Sequence, residues 1–270
     1  MILFSNAKIN IGLNIINRRK DGYHNLESIF YPIPFYDIIE FKPSKTLRID
    51  FQGKCENISD ENNLIKDTVE LFSKEVKKIN GLEIKVLKNI PPGSGLGGGS
   101  SNAARLLTGL NHFYKTKLSN KQLSDLSAML GSDCPFFINN FPAFVTGRGE
   151  KISKLNISLK GYRLIICIPR IHISTHYAFS LWKRTNNKPV DLLEAIQKAP
   201  EKWKIYVKNN FEELLFSDFQ ILEKIKQNLY SSGAVYSSLS GSGSAVYGIF
   251  HKNEKLTKII SDEDCYYFNL

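Results

Sequence analysis

Residues 91–104 read Pro91-Pro92-Gly93-Ser94-Gly95-Leu96-Gly97-Gly98-Gly99-Ser100-Ser101-Asn102-Ala103-Ala104, and the rest of the chain is organised around them. Upstream, Leu82, Ile84 and Val86, with Leu87 and Ile90, partly alternate with polar residues, which is the pattern of a β-strand. Downstream, Ala103, Leu106, Leu107, Leu110 and Phe113 recur at helical spacing, and Ser100 or Ser101 is placed to cap that helix. Five of the seven residues from 93 to 99 are glycine, so backbone N–H groups can approach a ligand closely. Those groups and the positive end of the helix dipole suit a phosphate. A flexible linker is not bounded by an alternating strand and a capped helix, so the stretch is read as a phosphate-binding loop.

Three known loop types can be compared with it. A P-loop requires Gly-x-x-x-x-Gly-Lys-Ser/Thr, and there is no Lys between Asn89 and Ala104. A protein-kinase loop requires its Val-Ala-Ile-Lys, His-Arg-Asp and Asp-Phe-Gly companions, which the sequence lacks. The dinucleotide pattern Gly-x-Gly-x-x-Gly is met by Gly93, Gly95 and Gly98. That fingerprint, however, expects a strand ending in Asp or Glu about 20 residues on, where this chain reads Lys117-Leu118-Ser119-Asn120 and enters another helix.

The chain has 270 residues, 42% of them hydrophobic, enough for one large domain or two modest ones. Its first residues are broken by Asn6, Lys8 and Asn10 and do not read as a signal peptide. No apolar run approaches the ~20 residues of a membrane span, so the expectation is a soluble, cytoplasmic protein without a membrane partner. Cys55, Cys134, Cys167 and Cys265 are far apart and are expected to be reduced thiols. His172 and His176 are four apart with no Glu between them, and no protein metal site is expected. The net charge of +10 favours anionic ligands. Its Lys and Arg are scattered, which is the pattern of a solvated surface rather than a nucleic-acid footprint.

In chain order, Ala7, Ile9, Ile11, Leu13 and Ile15 alternate with Lys8, Asn10, Gly12 and Asn14. This is a strand whose polar face is either solvated or lines a cleft. Arg18 to Gly22 form a turn, and Tyr23-His24 after it is either ordinary surface or a ring pair offered to a base or sugar. Strand candidates from 29 to 41 are interrupted by Pro32 and Pro34, which argues for an edge or bulged segment. Residues 63–80 form an amphipathic helix with Ile65, Val69, Phe72, Val76 and Ile79 on one face. Ser119 and Gln122 form a capping box before a helix carrying Leu123, Leu126 and Leu130. Asp133, before Cys134-Pro135, is either an N-cap or a carboxylate that accepts a proton.

Residues 144–150 read as strand and turn, with a domain boundary between 150 and 160. A strand follows at 162–168, then helices after Ser174-Thr175, near 191–198 and from 210 to 230. Residues 234–250 read as strand–turn–strand around Ser240-Gly241-Ser242-Gly243-Ser244, either a plain hairpin or a turn that closes over the phosphate loop.

Together these residues resemble the GHMP kinases. The three family motifs occur in order and span nearly the whole chain: the Lys8 strand, residues 91–104, and Gly241-Ser242-Gly243. Asp21-Gly22-Tyr23-His24 is similar to the branch that acts on a cytidine-diphosphate-linked methylerythritol, and Leu130-Gly131-Ser132-Asp133-Cys134-Pro135-Phe136 agrees with it. Ser94, Leu239 and Arg148 depart from the usual family residues, and none of the three is a reacting group.

The resemblance implies an α+β two-domain fold. An N-terminal domain like ribosomal protein S5 domain 2 (1–155) would bind ATP, a ferredoxin-like C-terminal domain would follow (156–270), and the active site would lie between them. It implies ATP and Mg²⁺ as cofactors, a small-molecule substrate, no nucleic-acid partner, and a monomer or homodimer. By position, Asp133 would be the general base, and Lys8 would hold it ionised and stabilise charge. Pro91, Pro92, Gly93, Ser94, Gly95, Leu96, Gly97, Gly98, Gly99, Ser100, Ser101, Gly241 and Ser242 would bind ATP. Asn10, Tyr23, His24, Thr175 and Phe179 would bind the second substrate, with Tyr23 stacked on cytosine and His24 hydrogen-bonded to it. The resemblance gives no protein ligand for Mg²⁺. The rival from another class, a non-catalytic RNA-binding protein, fits the charge but has no use for Lys8, Asp133 and the glycine loop together.

Overall fold

The computed structural model describes residues 1–54, 63–182, 189–254 and 264–270. The strands β1 (Ile2–Arg18), β2 (His24–Pro43) and β3 (Arg48–Gly53) come first. The helix α1 (Leu64–Glu75), the strand β4 (Leu82–Lys88) and the helices α2 (Gly98–Phe113), α3 (Asn120–Ala128) and α4 (Cys134–Asn139) follow. Next are β5 (Ala143–Gly147), β6 (Lys151–Lys154) and β7 (Tyr162–Ile168). The helices α5 (Thr175–Ser180), α6 (Leu192–Ala195), α7 (Pro200–Tyr206), α8 (Asn210–Leu215) and α9 (Gln220–Ser231) precede β8 (Tyr236–Leu239), β9 (Val246–His251) and β10 (Asp264–Asn269). None of the described helices is long and apolar enough to cross a membrane.

The chain divides into two units. The first comprises Met1–Lys8, Pro32–Pro92 and Gly97–Phe141; the second comprises Ile9–Tyr31, Gly93–Leu96 and Pro142–Leu270. Both draw on residues before the expected boundary at 155/156.

In the first unit β4 lies between β3, parallel to it, and the later half of β2, antiparallel from Ile38↔Leu87 to Pro43↔Leu82. Ile39, Phe41, Ile84 and Val86 from these strands meet Leu106, Leu107 and Leu110 of α2 and Leu123 of α3 in one buried cluster. Each such side chain contributes roughly 1.5–3 kcal/mol relative to exposure. The helix α1 starts where Asn63 accepts the N–H groups of Ile65 and Lys66, and its Ile65, Val69 and Phe72 join that cluster. Val76 and Ile79 pack there too, although the helix itself stops at Glu75. The capping box of Ser119 and Gln122 is present at the start of α3.

Two local expectations are corrected here. Neither Ser100 nor Ser101 caps α2. The N-cap is Gly97, at φ +73°, and Ser101 is already inside the helix, its N–H donating to the Gly97 carbonyl at 2.9 Å. Glycine reaches this left-handed conformation without a Cβ clash, which lets the helix begin earlier than the serines suggest. Pro32 and Pro34 do not interrupt the strand: β2 runs through them as one strand of 20 residues. Both prolines lie between the stretch paired with β5 (26–30) and the stretch paired with β4 (38–43), where a missing N–H breaks neither ladder.

In the second unit the earlier half of β2 pairs with β5, and β5 with β6. A separate four-stranded antiparallel sheet has the order β10-β7-β9-β8. Leu222, Ile225 and Leu229, three and four residues apart on α9, pack with Ile165, Val246 and Phe250 of that sheet and with Phe211 of α8.

Residues 210–230 form two helices, α8 and α9, rather than one continuous stretch, and α7 was not read from the sequence. The reduced-thiol expectation fails for two cysteines. Cys265 stands directly opposite Cys167 across β10 and β7, and the two form a disulfide. Their separation of 98 residues hid a cross-strand neighbour. Cys134 is a free, buried thiol; Cys55 lies outside the described residues.

Candidate active site

The polar face of β1 is not solvated. Burial is continuous from residue 5 to 15, and Lys8, Asn10 and Asn14 are as inaccessible as the apolar residues between them. A buried lysine needs a partner, and within the first unit Lys8 has Asp133, with Nζ and Oδ2 3.5 Å apart. Burial lowers the Lys8 pKa, while the Asp133 charge pulls it back up. Asp133 occupies the N-cap position of α4 but makes no capping hydrogen bond there. Its side chain is 31% exposed, so the carboxylate faces both the ammonium and solvent.

The lysine stem runs beneath the phosphate loop. A Cβ on Gly97 would stand 3.2 Å from Lys8 Cε and 2.9 Å from Phe137 Cζ. The helix that starts here is 16 residues long. The N–H groups of its first turn have no carbonyl of their own to bond, and Gly97 brings no side chain to cap them. Such a row of N–H groups accepts an anion, so the loop fits the phosphates of a nucleotide. Ser101 is turned inward instead, accepting a hydrogen bond from Ser5 Oγ at 2.8 Å.

The central loop residues, Gly93–Leu96, belong to the second unit, where the turn at 240–244 closes on them. Ser240 Oγ donates to the Gly95 carbonyl at 3.0 Å, and the Ala245 N–H donates to the Ser94 carbonyl at 3.0 Å. A Cβ on Gly95 would lie 2.0 Å from the Ser240 carbonyl oxygen, so only glycine allows this approach. Both sequence readings of this turn hold: it joins the antiparallel strands β8 and β9 as a hairpin, and it also closes on residues 94–95. Asn209 fixes it from behind, donating to the carbonyls of Leu239 and Gly241.

Asn10 lies against the same turn. Its N–H donates to Ser240 Oγ at 3.3 Å, and its Nδ2 donates to Ser28 Oγ at 2.9 Å. A Cβ on Gly241 would stand 3.4 Å from Asn10 Oδ1. Sequence reading missed Ser240 and Asn209. It also missed His172, whose Nδ1 would be 3.1 Å from a Cβ on Gly93.

The ring pair after the first turn is also in the second unit. The His24 imidazole stacks on Phe179 at 4.8 Å between centroids and meets Trp182 edge-on at 5.2 Å. Burial first, and then the Arg18 charge, hold its pKa below the usual value, so the imidazole is neutral at pH 7. Tyr23 is 56% exposed, with the Arg148 guanidinium over its ring at 4.9 Å. Thr175 Oγ1 and Ser242 Oγ are 3.5 Å apart. The structure thus joins His24 to Phe179, and Thr175 to the 240–244 turn. Trp182 and Arg148, the latter read from the sequence only as a departure from the family, stand among these groups.

The Cys134 thiol next to Asp133 is no nucleophile, because burial pushes its pKa up to about 12. The chemistry on this side therefore rests on a carboxylate beside a buried ammonium, next to a loop that fits phosphate. That combination suits proton removal from a hydroxyl during phosphoryl transfer.

The chain matches the GHMP kinases N terminal domain family over residues 63–146 and the GHMP kinases C terminal family over residues 192–262. It belongs to the GHMP kinase family. This GHMP kinase is 42% identical over 263 residues to a 4-diphosphocytidyl-2-C-methyl-D-erythritol kinase of Bacteroides fragilis, covering 96% of this chain and 95% of that one. A protein of Parabacteroides distasonis with the same name is 40% identical over 267 residues, covering 98% and 97%.

Among solved structures, a 4-(cytidine 5'-diphospho)-2C-methyl-D-erythritol kinase is similar with a TM-score of 0.81 at 26% identity, covering 99% of this chain and 98% of that one. The Methanococcus jannaschii mevalonate kinase is similar at 0.68 and 17% identity, covering 99% and 97%. At that identity the likeness is one of fold: the α+β two-domain GHMP fold that the sequence motifs implied.

Proposed function

We propose that this GHMP kinase transfers a phosphoryl group from ATP to the 2-hydroxyl of 4-diphosphocytidyl-2-C-methyl-D-erythritol, giving the 2-phosphate and ADP. The reaction belongs to the non-mevalonate route to isoprenoid precursors, and we assign it to the cytoplasm. Residues 1–155 are taken as the ATP-binding N-terminal domain and 156–270 as the C-terminal domain. The observation that carries the chemistry is the Lys8–Asp133 pair beside the uncapped start of α2. The full-length likeness to relatives named for this substrate supports the choice of alcohol.

In this reading Asp133 orients the hydroxyl and takes its proton late. The transfer is largely dissociative, so a carboxylate suffices. Lys8 offsets the charge that gathers at the attacking oxygen. The N–H groups of Gly97, Gly98, Gly99 and Ser100 face the phosphates, with Pro91, Pro92, Gly93, Ser94, Gly95, Leu96, Ser101, Gly241 and Ser242 completing the nucleotide site. Tyr23 stacks on the cytosine, and the neutral His24 imidazole can donate through one nitrogen and accept through the other. Asn10, Thr175 and Phe179 complete that side.

The donor set beside the loop is one carboxylate and one cation. It fits Mg²⁺ held by phosphate oxygens and water rather than by a protein cage. The ion supplies charge neutralisation at the phosphates when bound.

The test is ADP formation from ATP and Mg²⁺ with 4-diphosphocytidyl-2-C-methyl-D-erythritol, mevalonate and homoserine offered separately. Turnover confined to the first is expected. Turnover confined to another of these alcohols would overturn the substrate assignment while keeping the kinase, and a folded chain that does not bind ATP would overturn both.

A further inference from the structure

A second buried lysine–aspartate pair stands on the other side of the loop, and the chemistry above makes no use of it. Asp37, on β2, is fully buried, and Lys88, the last residue of β4, is nearly so. They form a direct ion pair. The other carboxylate oxygen of Asp37 accepts two backbone N–H groups, from Asn89 at 2.8 Å and from Ile90 at 2.9 Å. These are the first two residues after β4. Pro91 and Pro92 follow at once, and neither has an N–H of its own. Asp37 therefore fixes the chain just ahead of the phosphate loop.

The far end of the loop rests on the same group of residues. A Cβ on Gly98, the first residue of α2, would stand 2.9 Å from Ile90 Cγ2 and 3.3 Å from Lys88 Nζ. Ile90 itself is fully buried. Asp37 thus fixes Ile90, and Ile90 and Lys88 together set where the first turn of α2 can lie.

We propose that Asp37 is a positioning residue for nucleotide binding. Through its two backbone hydrogen bonds it holds residues 89–90, and through Ile90 the first turn of α2, at the separation the triphosphate requires; Lys88 holds the other carboxylate oxygen. The proposal rests on the reading of residues 91–101 as the ATP-binding loop. It assigns Asp37 no contact with ATP or with the alcohol.

Single substitutions of a buried ion pair often fail to fold, because they leave one charge uncompensated. The test therefore uses two double variants, both without charge. Asp37→Asn with Lys88→Met keeps an amide oxygen to accept the Asn89 and Ile90 N–H groups. Asp37→Leu with Lys88→Met keeps the shape and loses the acceptor.

For the Leu/Met variant a roughly tenfold rise in KM for ATP is expected, about what one lost positioning interaction contributes. Its kcat at saturating ATP and its KM for the alcohol should stay within about threefold. The Asn/Met variant should keep its KM for ATP within about threefold of the parent. Amide hydrogen exchange across residues 89–100, read without nucleotide, should rise in the Leu/Met variant and not in the Asn/Met variant. Equal KM values and equal exchange in the two doubles would overturn the positioning role. So would an equal impairment of both, which would assign the effect to the ion pair rather than to the acceptor. A parent chain that fails to bind ATP would overturn the kinase reading, while the exchange measurement would still decide whether Asp37 anchors the loop.

Discussion

The two lysine–aspartate pairs use the same side chains and flank consecutive glycines, yet they are built to opposite ends. Gly97 faces the stem of Lys8 and Gly98 faces the ammonium of Lys88. At Lys88–Asp37 both side chains are closed off, at 3% and 0% exposed, and the carboxylate also carries two backbone bonds. At Lys8–Asp133 the lysine is equally closed, but the carboxylate is 31% exposed, 3.5 Å away, and carries no capping bond. A carboxylate saturated with donors has nothing left to offer a substrate, whereas one held by a single ammonium at the edge of solvent can accept a proton. On the proposed reading, the difference between a structural pair and a reactive pair lies in the surroundings of the acid, not in the residue types.

Removing the acid from the open pair should produce the largest effect. Asp133→Asn is expected to lower kcat by about 10²–10⁴-fold, the range of general base catalysis. Its stability should fall, though by less than for the closed pair, because the buried Lys8 ammonium loses a carboxylate that is itself partly exposed. Steady-state kinetics and urea unfolding on the same preparation read both quantities, and a variant with full activity would remove Asp133 from the reaction.

The closed pair should behave the other way. Lys88→Met is expected to cost about 3–5 kcal/mol of stability, because it strands a buried carboxylate. Urea midpoints near those of the parent would show that the pair is not the structural one.

The smallest effect concerns Lys8. Its pKa is lowered from 10.5 by burial, so the folded chain releases that proton at a lower pH than the unfolded chain. Between those two pH values the unfolded state holds the extra proton, and stability rises with pH through that window. Below the window the buried cation opposes folding in full. Lys8→Met should therefore raise the melting temperature at pH 7, and the gain over the parent should shrink as the pH approaches 10.5, while activity is lost. A melting temperature lowered by several degrees at pH 7 would show that Asp133 repays the burial of Lys8 after all.

What was legible in the sequence is what depends on local period and turn chemistry. The alternation of β4, the stripe of α1, the capping box at Ser119 and the strand–glycine–helix context of the loop were all read correctly, because their causes lie within a few residues. Lys8 and Asp133 could be named only through the family motifs, since nothing in the spacing of residues 8 and 133 brings them together. The Asp37–Lys88 and Cys167–Cys265 pairs are set by strand register, which no local pattern reports. The start of α2 was misplaced because a left-handed glycine cap has no side chain to recognise, while two serines nearby imitate the usual signal. Trp182 and His172 were visible as residues, but their neighbours His24 and Gly93 are far away in the chain.

The contact between Gly95 and the turn at Ser240 also governs when the protein can first work during its own synthesis. The Ser240–Gly95 hydrogen bond joins residues 145 positions apart, so the middle of the loop stays open until residue 240 has left the ribosome. At 5–20 residues per second that delay is about 7–30 s. During that time the strand and helix flanking the loop can already be formed while their nucleotide site is not. A nascent chain halted in the C-terminal third would carry the most recognisable motif of the sequence in a form that cannot yet hold its ligand.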